Sequence, residues 1–243
     1  MQVLVSLKKG DFHYPKDGAD YHCKEGIIKR EDLESDKKIV ISHTNQEFLK
    51  FTGNKRDISQ RYKRGPQIIT PKDLGYILAR TYLSKDAKVV EAGGGSGAFS
   101  TFFGNYVKTI HTYEVMEDHI KIIEKNLELQ DIKNVKLING DINEYIEKEK
   151  DVDLLFLDMP DCQKVLEKDL SGIKSGGYIV CYIPSITQIL DLNDVLANLR
   201  EEILIEEVSE IIKRDWKVWG KVARPLHRKE IDHTAFLVFL RKI

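Results

Sequence analysis

The stretch that decides the fold runs from Val89 to Gly97 and reads VVEAGGGSG. A short apolar run leads into Glu91, and a cluster of glycines with one serine follows it. Glycine tolerates positive φ and lets the backbone approach a ligand closely, so such a turn between a strand and a helix suits a nucleotide. A carboxylate at Glu91 would repel a pyrophosphate, which argues against a dinucleotide. It suits a ligand with an ammonium group, such as the methionine end of S-adenosylmethionine (SAM).

Working outward from this turn, the chain alternates between apolar runs typical of strands and periodic runs typical of helices. Strands are predicted at residues 88–91, 109–114, 135–139, 152–157 and 178–183, with helices from about residue 98, over 118–129 and over 162–170. A further helix is predicted to begin at Pro71, with Asp73 in its first turn. The alternation predicts an α/β fold in which a parallel sheet carries helices on both faces. Two further strands, at 204–212 and 235–240, are predicted to form an antiparallel pair at one edge.

Residues 1–60 differ from the rest of the chain in being rich in short candidate strands. These strands are predicted at residues 3–7, 26–30, 38–43 and 47–51, with turn signals between them. Residues 52–56 are predicted to form the loop that leaves this region. We therefore expect a small β-rich N-terminal domain over residues 1–60 and the α/β domain over residues 61–243.

Three more acidic residues follow predicted strands of the α/β domain: Glu114, Asp141 and Asp158. The carboxyl ends of parallel strands meet at one edge of the sheet, where open α/β sheets bind ligands. There Glu114 can accept the hydroxyls of a ribose, and Asp141 can accept the amino group of an adenine. Each acid alone can equally be a helix cap. Together with Glu91 they predict a SAM site.

The composition of the chain limits the classes of function that it can have. The chain has 243 residues, of which 42% are hydrophobic and 32% charged, so it can bury a core and is not intrinsically disordered. With 38 basic and 39 acidic residues, it is not a polycation, and any nucleic-acid surface must be local. Two basic segments qualify: residues 55–64, and residues 213–229, which contain Trp216 and Trp219. Basic residues interleaved with tryptophans suit a nucleic-acid surface, although a charge run is more often only a solvated face. Because the net charge is near zero, the acidic regions at 144–153 and 201–210 show that the charges are segregated, which modestly favours an RNA surface.

The cysteines and the apolar runs exclude other classes. Cys23, Cys162 and Cys181 form no CxxC pair and no Cys/His set at zinc spacing, so we expect neither a disulfide framework nor a metal. The start of the chain has no signal-like apolar region, and the longest apolar runs are too short for a membrane span. These features predict a cytoplasmic protein that does not contact a membrane.

Several segments carry a resemblance to a known family. They are residues 63–73 (KRGPQIITPKD), the turn at 91–97, residues 157–161 (LDMPD), Tyr182–Ile183–Pro184 with Gln188, and Arg224–Pro225 with His233–Thr234. Through them the chain resembles the tRNA (adenine-58-N1)-methyltransferases of the TrmI type over nearly its whole length. The resemblance implies a Rossmann-like, SAM-dependent methyltransferase domain with a small N-terminal β domain, and a homotetramer. It implies tRNA as substrate, with adenosine 58, and in archaeal members also 57, as the target.

The resemblance also implies roles for individual residues. Backbone groups around Ile69, Ser96, Gly97 and Ala98 would line the SAM pocket, and Asp141 with Ile142 would flank the adenine of SAM. The expected cofactor-binding set is Ile69, Glu91, Gly93, Gly95, Ser96, Gly97, Ala98, Glu114, His119, Asp141, Ile142 and Asp158. The chain departs from the family pattern at Thr70, His119, Cys162–Gln163 and Ser185.

Two residues are expected to act in catalysis. The adenine N1 lone pair can attack the methyl group of SAM directly, and positive charge then develops on the base. Asp158 would accept the hydrogen bond, and then the proton, of the exocyclic amine. Tyr182 would contact the target adenine. The alternatives are a helix cap for Asp158 and a packed core aromatic for Tyr182.

Other functions remain open at this stage. One alternative is a non-catalytic RNA-binding scaffold subunit on the same fold. Another is a methyltransferase that acts on a small molecule or a protein. A dehydrogenase is disfavoured because Glu91 occupies the position where a pyrophosphate would lie.

Overall fold

The computed structural model describes residues 1–63, 65–226 and 233–243. Arg64 and residues 227–232, which include His227, Arg228 and Lys229 of the second basic segment, lie outside the described residues. The chain divides into two compact units, Met1–Tyr62 and Lys63–Ile243.

The first unit is built mainly from short strands. Its elements are β1 (Gln2–Ser6), β2 (Phe12–His13), β3 (Tyr21–Cys23), β4 (Gly26–Ile28), α1 (Arg30–Glu34), β5 (Ile39–Ile41), β6 (Glu47–Thr52) and α2 (Lys55–Ser59). An antiparallel sheet has the strand order β2-β1-β6-β5, and β3 and β4 form a separate hairpin. The small core consists of Leu4, Ile28, Leu33, Val40 and Phe48.

The two helices of this unit were not predicted from the sequence. The exit segment that the turn signals predicted near residue 54 instead begins α2. The Asn54 side chain accepts from the backbone N–H groups of Arg56 and Asp57, and the Asp57 side chain accepts from the Asn54 N–H. This reciprocal capping box satisfies donors at the start of a helix of only five residues.

The second unit alternates strands and helices as predicted. Its elements are α3 (Pro71–Thr81), β7 (Lys88–Ala92), α4 (Ala98–Phe103), β8 (Thr109–Glu114), α5 (Glu117–Leu129), β9 (Val135–Asn139), α6 (Ile142–Tyr145), β10 (Val152–Leu157), α7 (Gln163–Leu166), β11 (Ile173–Ile183), α8 (Ile186–Leu196), β12 (Ile203–Glu210), β13 (Trp216–Trp219), β14 (Val222–Pro225) and β15 (Phe236–Lys242). Helix α7 is shorter than expected, and α6, α8 and the β13–β14 hairpin were not predicted.

A seven-stranded sheet organises this unit, with the strand order β12-β15-β11-β10-β7-β8-β9. Strands β11, β10, β7, β8 and β9 run parallel, and β15 is antiparallel to both β11 and β12. The chain enters the sheet at β7, builds outward through β8 and β9, and returns to the other side of β7 with β10. The topological switch point therefore lies between β7 and β10, and sheets of this kind bind ligands at the carboxyl ends of the strands beside it.

The core lies on both faces of the sheet, which explains the nearly continuous apolar sequence of β10. On one face Phe156 of β10 stacks on Phe99 of α4, with ring centroids 4.0 Å apart, and Phe99 stacks on Phe103 at 4.1 Å. On the other face Leu155 and Leu157 pack among residues of α7 and α8. The predicted α/β fold is confirmed. Among the described helices, none combines the length and the apolar character needed to cross a membrane.

Candidate active site

A cavity of about 500 Å³ opens at the carboxyl edge of the sheet, where β7, β8, β9 and β10 end. Its walls come from the strand ends, from the segment before α3 and from residues near β11 and β15. They comprise Pro66, Gln67, Ile68, Ile69, Ala92, Gly93, Gly95, Tyr113, Glu114, Val115, Met116, His119, Gly140, Asp141, Ile142, Asp158, Met159, Pro160, Tyr182, Pro184 and Thr234. The volume lies within the range of small-molecule sites, about 300–1,000 Å³.

The glycine turn forms the floor of the cavity. Gly93 has φ +83°, and a Cβ there would lie 1.9 Å from the backbone carbonyl oxygen of Asp158. Glycine is therefore required at this position, because only hydrogen fits between the end of β7 and the end of β10. Gly95 also has positive φ, +54°, and its N–H donates to Glu114 Oε2 at 2.8 Å.

Glu114 is the last residue of β8, and its carboxylate is held by backbone amides. Oε1 accepts the N–H groups of Val115 and Met116, each at 2.9 Å, and Oε2 accepts Gly95. These three bonds fix the orientation of a side chain that is 6% exposed. A carboxylate has about four accepting positions, so Oε2 keeps one for a ligand hydroxyl. His119 Nδ1 lies 3.5 Å from the same oxygen.

Asp158 directly follows β10 and is half-buried at the cavity wall. Its N–H donates to Ala92 at 2.9 Å, but its carboxyl group has no hydrogen bond or ion pair with any of the described residues. Burial, together with the nearby charge of Glu114, raises the pKa of Asp158 to about 7. It caps no helix, since the next helix, α7, has Cys162 as its N-cap residue.

Asp141, Ile142, Ile69 and His119 also lie on the cavity wall, as the resemblance implied. Asp141 is exposed, and its Oδ1 accepts the backbone N–H of Asn143 at 2.9 Å. Asp141 is thus the N-cap residue of α6 and also lines the cavity, so a capping role does not exclude a ligand-binding role.

Four residues of the expected cofactor-binding set do not line the cavity: Glu91, Ser96, Gly97 and Ala98. Glu91 is only 1% exposed and accepts a hydrogen bond from Thr112 Oγ1 at 2.7 Å. Burial raises the pKa of Glu91 to about 8, so it is protonated at neutral pH. Glu91 lies inside the sheet with its carboxyl group bound to Thr112, and its expected contact with the ammonium group of SAM stays a prediction. Gly97 is the N-cap of α4, with φ +74°.

A buried hub behind Tyr182 was missed by sequence reasoning, which treated Asp73 as a first-turn residue of a helix. Asp73 is 0% exposed, and its Oδ2 accepts Thr70 Oγ1 at 2.9 Å, Thr234 Oγ1 at 2.9 Å and the Tyr182 hydroxyl at 3.1 Å. Lys72 Nζ lies 2.7 Å from the other oxygen. The signal was available, because Asp73 and Thr234 both fall in segments that carry the family resemblance.

The hydrogen bond to Asp73 in this hub fixes the orientation of the Tyr182 side chain. The hydroxyl is donated to Asp73, and burial raises the pKa of the tyrosine above its usual value. The side chain lines the cavity with its hydroxyl already bound. Tyr182 therefore offers the cavity its ring rather than a free hydroxyl. Thr70, which departs from the family pattern, contributes to the same hub.

The switch-point cavity, the glycine turn and the strand-end carboxylates define a Rossmann-like, SAM-dependent methyltransferase. The family described as "tRNA methyltransferase complex GCD14 subunit" matches residues 59–235, and the chain belongs to this family.

Known proteins similar to the chain agree with this assignment. The tRNA (adenine(57)-N(1)/adenine(58)-N(1))-methyltransferase TrmI of Methanocaldococcus jannaschii is 32% identical over 99% of this chain and 94% of that protein. The structure of tRNA (m1A58) methyltransferase TrmI from Aquifex aeolicus is 26% identical, covering 100% of this chain and 96% of that one, with a TM-score of 0.85. A SAM-dependent O-methyltransferase from Thermotoga maritima is 27% identical over 100% and 92%, also with a TM-score of 0.85. Two structures with such different descriptions match equally well, so the fold alone does not determine the substrate.

Proposed function

We propose that the protein is a SAM-dependent tRNA methyltransferase that forms 1-methyladenosine at position 58, and also at position 57. The observation that carries this proposal is the carboxyl group of Asp158, which has no partner among the described residues and borders a cavity suited to SAM. The family and the archaeal relative support tRNA as the substrate.

The residues of the cavity fit SAM. Glu114 keeps one accepting position for a ribose hydroxyl, and Asp141 with Ile142 offers an acid and an apolar surface for an adenine. Gly93 and Gly95 bring the backbone close to the ligand without a Cβ in the way. When bound, SAM supplies an electrophilic methyl group.

Asp158 acts on the target base. Its carboxylate accepts a hydrogen bond from the exocyclic amine of adenine, which stabilises the positive charge that develops as N1 is methylated. A pKa of about 7 matches a group that accepts a proton near neutral pH. A half-buried position strengthens this interaction, because the local dielectric constant is lower than that of water.

Tyr182 positions the target base through the face of its ring. Its hydroxyl is engaged by Asp73, so the ring cannot turn freely. We expect Tyr182→Phe to keep kcat within about threefold, and Tyr182→Ala to lower it by about tenfold or more, since only the latter removes the ring. Single-turnover methylation rates at saturating SAM distinguish the two. Equal losses in both variants would show that the hydroxyl, not the ring, is used.

A basic and aromatic hairpin, β13–β14, is proposed to contact the tRNA. Trp216 is 56% exposed and Val218 is 72% exposed, and Lys217, Lys221 and Arg224 lie on the same hairpin. Exposed aromatic residues among cations suit stacking on bases and contact with phosphates. The target base must leave its stack to reach the cavity, at a cost of a few kcal/mol that these contacts offset.

The assembly and the location of the protein are further parts of the proposal. Strand β12 is an edge strand with exposed apolar residues, Leu204 at 49% and Val208 at 45%, which favours association of copies. We propose a homotetramer that acts in the cytoplasm, with the chemistry carried by Lys63–Ile243 and the small N-terminal unit as a separate domain. Light scattering of the purified protein measures the assembly.

The decisive experiment incubates the protein with unmodified tRNA transcript and methyl-labelled SAM and identifies the labelled nucleoside by mass spectrometry. Labelled 1-methyladenosine is expected from the wild type and far less from Asp158→Asn. Asp131→Asn, which makes the same change at an 81% exposed carboxylate, is the matched control and should behave as wild type. Binding of SAM without label in tRNA would favour a methyltransferase for a small molecule or a protein. Absence of SAM binding would favour a non-catalytic scaffold subunit.

A further inference from the structure

A histidine, a cysteine and a glutamate converge within the first unit, Met1–Tyr62. His13 lies on β2, Cys23 ends β3, and Glu25 lies in the turn between β3 and β4. One potential ligand atom from each lies within 4.8 Å of the others, and His13 Nε2 is 4.0 Å from Glu25 Oε2. Glu25 is only 8% exposed, so the cluster is not a solvated acidic patch.

The imidazole of His13 is held with one nitrogen facing this cluster. Its Nδ1 is 3.2 Å from the Tyr21 hydroxyl, and the ring meets Tyr21 and Phe48 edge to face at 5.8 Å and 5.5 Å. Nε2 is buried and has no hydrogen-bond partner among the described residues. A buried polar atom without a partner needs an explanation. Histidines that bind metals show this arrangement, with the second nitrogen fixed by a hydrogen bond.

Lys9 holds the Glu25 side chain in place. Lys9 Nζ lies 2.6 Å from Glu25 Oε1 and donates a hydrogen bond to it. The lysine occupies one oxygen, and the other is the oxygen nearest to His13. The turn is held in place because the Glu25 carbonyl accepts the hydroxyls of Ser42 at 2.7 Å and Thr44 at 2.5 Å.

We propose that His13 Nε2, Cys23 Sγ and Glu25 Oε2 bind one zinc ion. A thiolate, an imidazole and a carboxylate together are a zinc donor set, and a water molecule completes a tetrahedral site. Bonds of about 2.0 Å to nitrogen or oxygen and about 2.3 Å to sulfur imply ligand atoms roughly 3.3–3.5 Å apart. The cluster must therefore contract by about 1 Å. The Cys23 thiol, which donates to the Gly26 carbonyl at 3.3 Å, gives up its proton on binding.

The site has a structural purpose in this unit. A two-stranded hairpin is marginal by itself, and a unit of this size has a small core. The ion would join β2 of the four-stranded sheet to the β3–β4 hairpin, which belong to different sheets. The sequence predicted no metal because the three ligands lack the spacing of a CxxC motif. Only the pairing of the strands brings His13 to Cys23 and Glu25.

Cobalt(II) and zinc, added alone to the full chain after dialysis against a chelator, test the proposal. The wild type is expected to bind one Co²⁺ per chain with a near-ultraviolet thiolate-to-cobalt absorption band, and zinc is expected to raise its Tm. Cys23→Ser should lose the band and the zinc-dependent rise in Tm. The matched control is His22→Gln, at an exposed neighbour on β3, which should retain both.

Tyr21→Phe keeps all three ligands and removes only the hydroxyl that holds His13. It should lower the affinity for Co²⁺ by about 10–100-fold, and it keeps the test valid if Cys23→Ser fails to fold. The proposal is overturned if the wild type shows no thiolate band, or if the band and the rise in Tm persist in Cys23→Ser. It is also overturned if His13→Gln binds Co²⁺ as tightly as the wild type.

Discussion

Glu114 and Asp158 occupy equivalent positions on either side of β7, yet their surroundings differ. Glu114 accepts three backbone amides, which hold it as an oriented acceptor. The Asp158 carboxyl group has no partner among the described residues, and burial raises its pKa to about 7. The difference teaches that two acids at equivalent strand ends can have opposite surroundings, and it supports the proposal that Glu114 holds a ligand and that Asp158 exchanges a proton.

Replacing Asp158, whose carboxyl group has no partner among the described residues, should have the largest effect on methyl transfer. Asp158→Asn keeps the shape of the side chain but cannot accept a proton, so we expect methyl transfer to fall by about 10²–10⁴-fold. SAM affinity should change far less. Single-turnover kinetics with isothermal titration of SAM separate the two effects. A variant that methylates tRNA at near wild-type rate would refute the assigned role of Asp158.

Removing the charge of Glu114 should lower the affinity for SAM rather than the rate of methyl transfer. Glu114→Gln replaces a charged acceptor by an amide whose NH₂ group conflicts with the surrounding N–H donors. A lost charge-assisted hydrogen bond of about 1.5–3 kcal/mol predicts SAM affinity lower by roughly 10–150-fold. The rate at saturating SAM should remain closer to that of the wild type. If the rate falls while the affinity holds, the two carboxylates have been assigned in the wrong order.

The difference between Glu114 and Asp158 also predicts that the affinity for SAM depends on pH. Below pH 7 Asp158 is neutral, and above it the carboxylate attracts the sulfonium of SAM. SAM affinity should therefore rise by about tenfold as the pH increases through 7, a change of about 1.4 kcal/mol. S-adenosylhomocysteine carries no sulfonium and serves as the control ligand. The same rise for both ligands, or a rise that persists in Asp158→Asn, would assign the titration to another group.

Glu91 is the third strand-end carboxyl group, and its replacement should have the smallest effect on SAM affinity at neutral pH. Its folded pKa of about 8 lies above the unfolded value, so the folded state binds more protons and stability falls as pH rises from about 4 to 8. Glu91→Gln, which can still accept from Thr112, should change SAM affinity by less than about threefold at pH 7. Its free energy of unfolding should exceed that of the wild type at pH 9. Denaturant unfolding at pH 6 and pH 9 measures this, and a variant less stable than wild type at both pH values would contradict it.

Within the α/β unit, local pattern was a reliable guide to the fold. The strands at 135–139 and 152–157 agree with β9 and β10 residue for residue. The antiparallel edge pair also appears as β12 and β15. Short helices such as α2 were not predicted, because a helix of five residues, held by the capping box at its start, is too short to show a repeated apolar periodicity.

The sequence by itself determined the nucleotide-type turn, the α/β alternation and the presence of acids at the strand ends, because these are properties of neighbouring residues. Only the tertiary structure decided the surroundings of each acid. Burial by segments distant in sequence raises the pKa of Glu91 and of Asp158, and the approach of Gly95 completes the three backbone donors around Glu114. The same holds for Asp73, whose hub joins residues about 160 positions apart, Thr70 and Thr234. Each of these segments can be singled out in the sequence by the family resemblance, but their contact with one another cannot, because it joins residues so far apart.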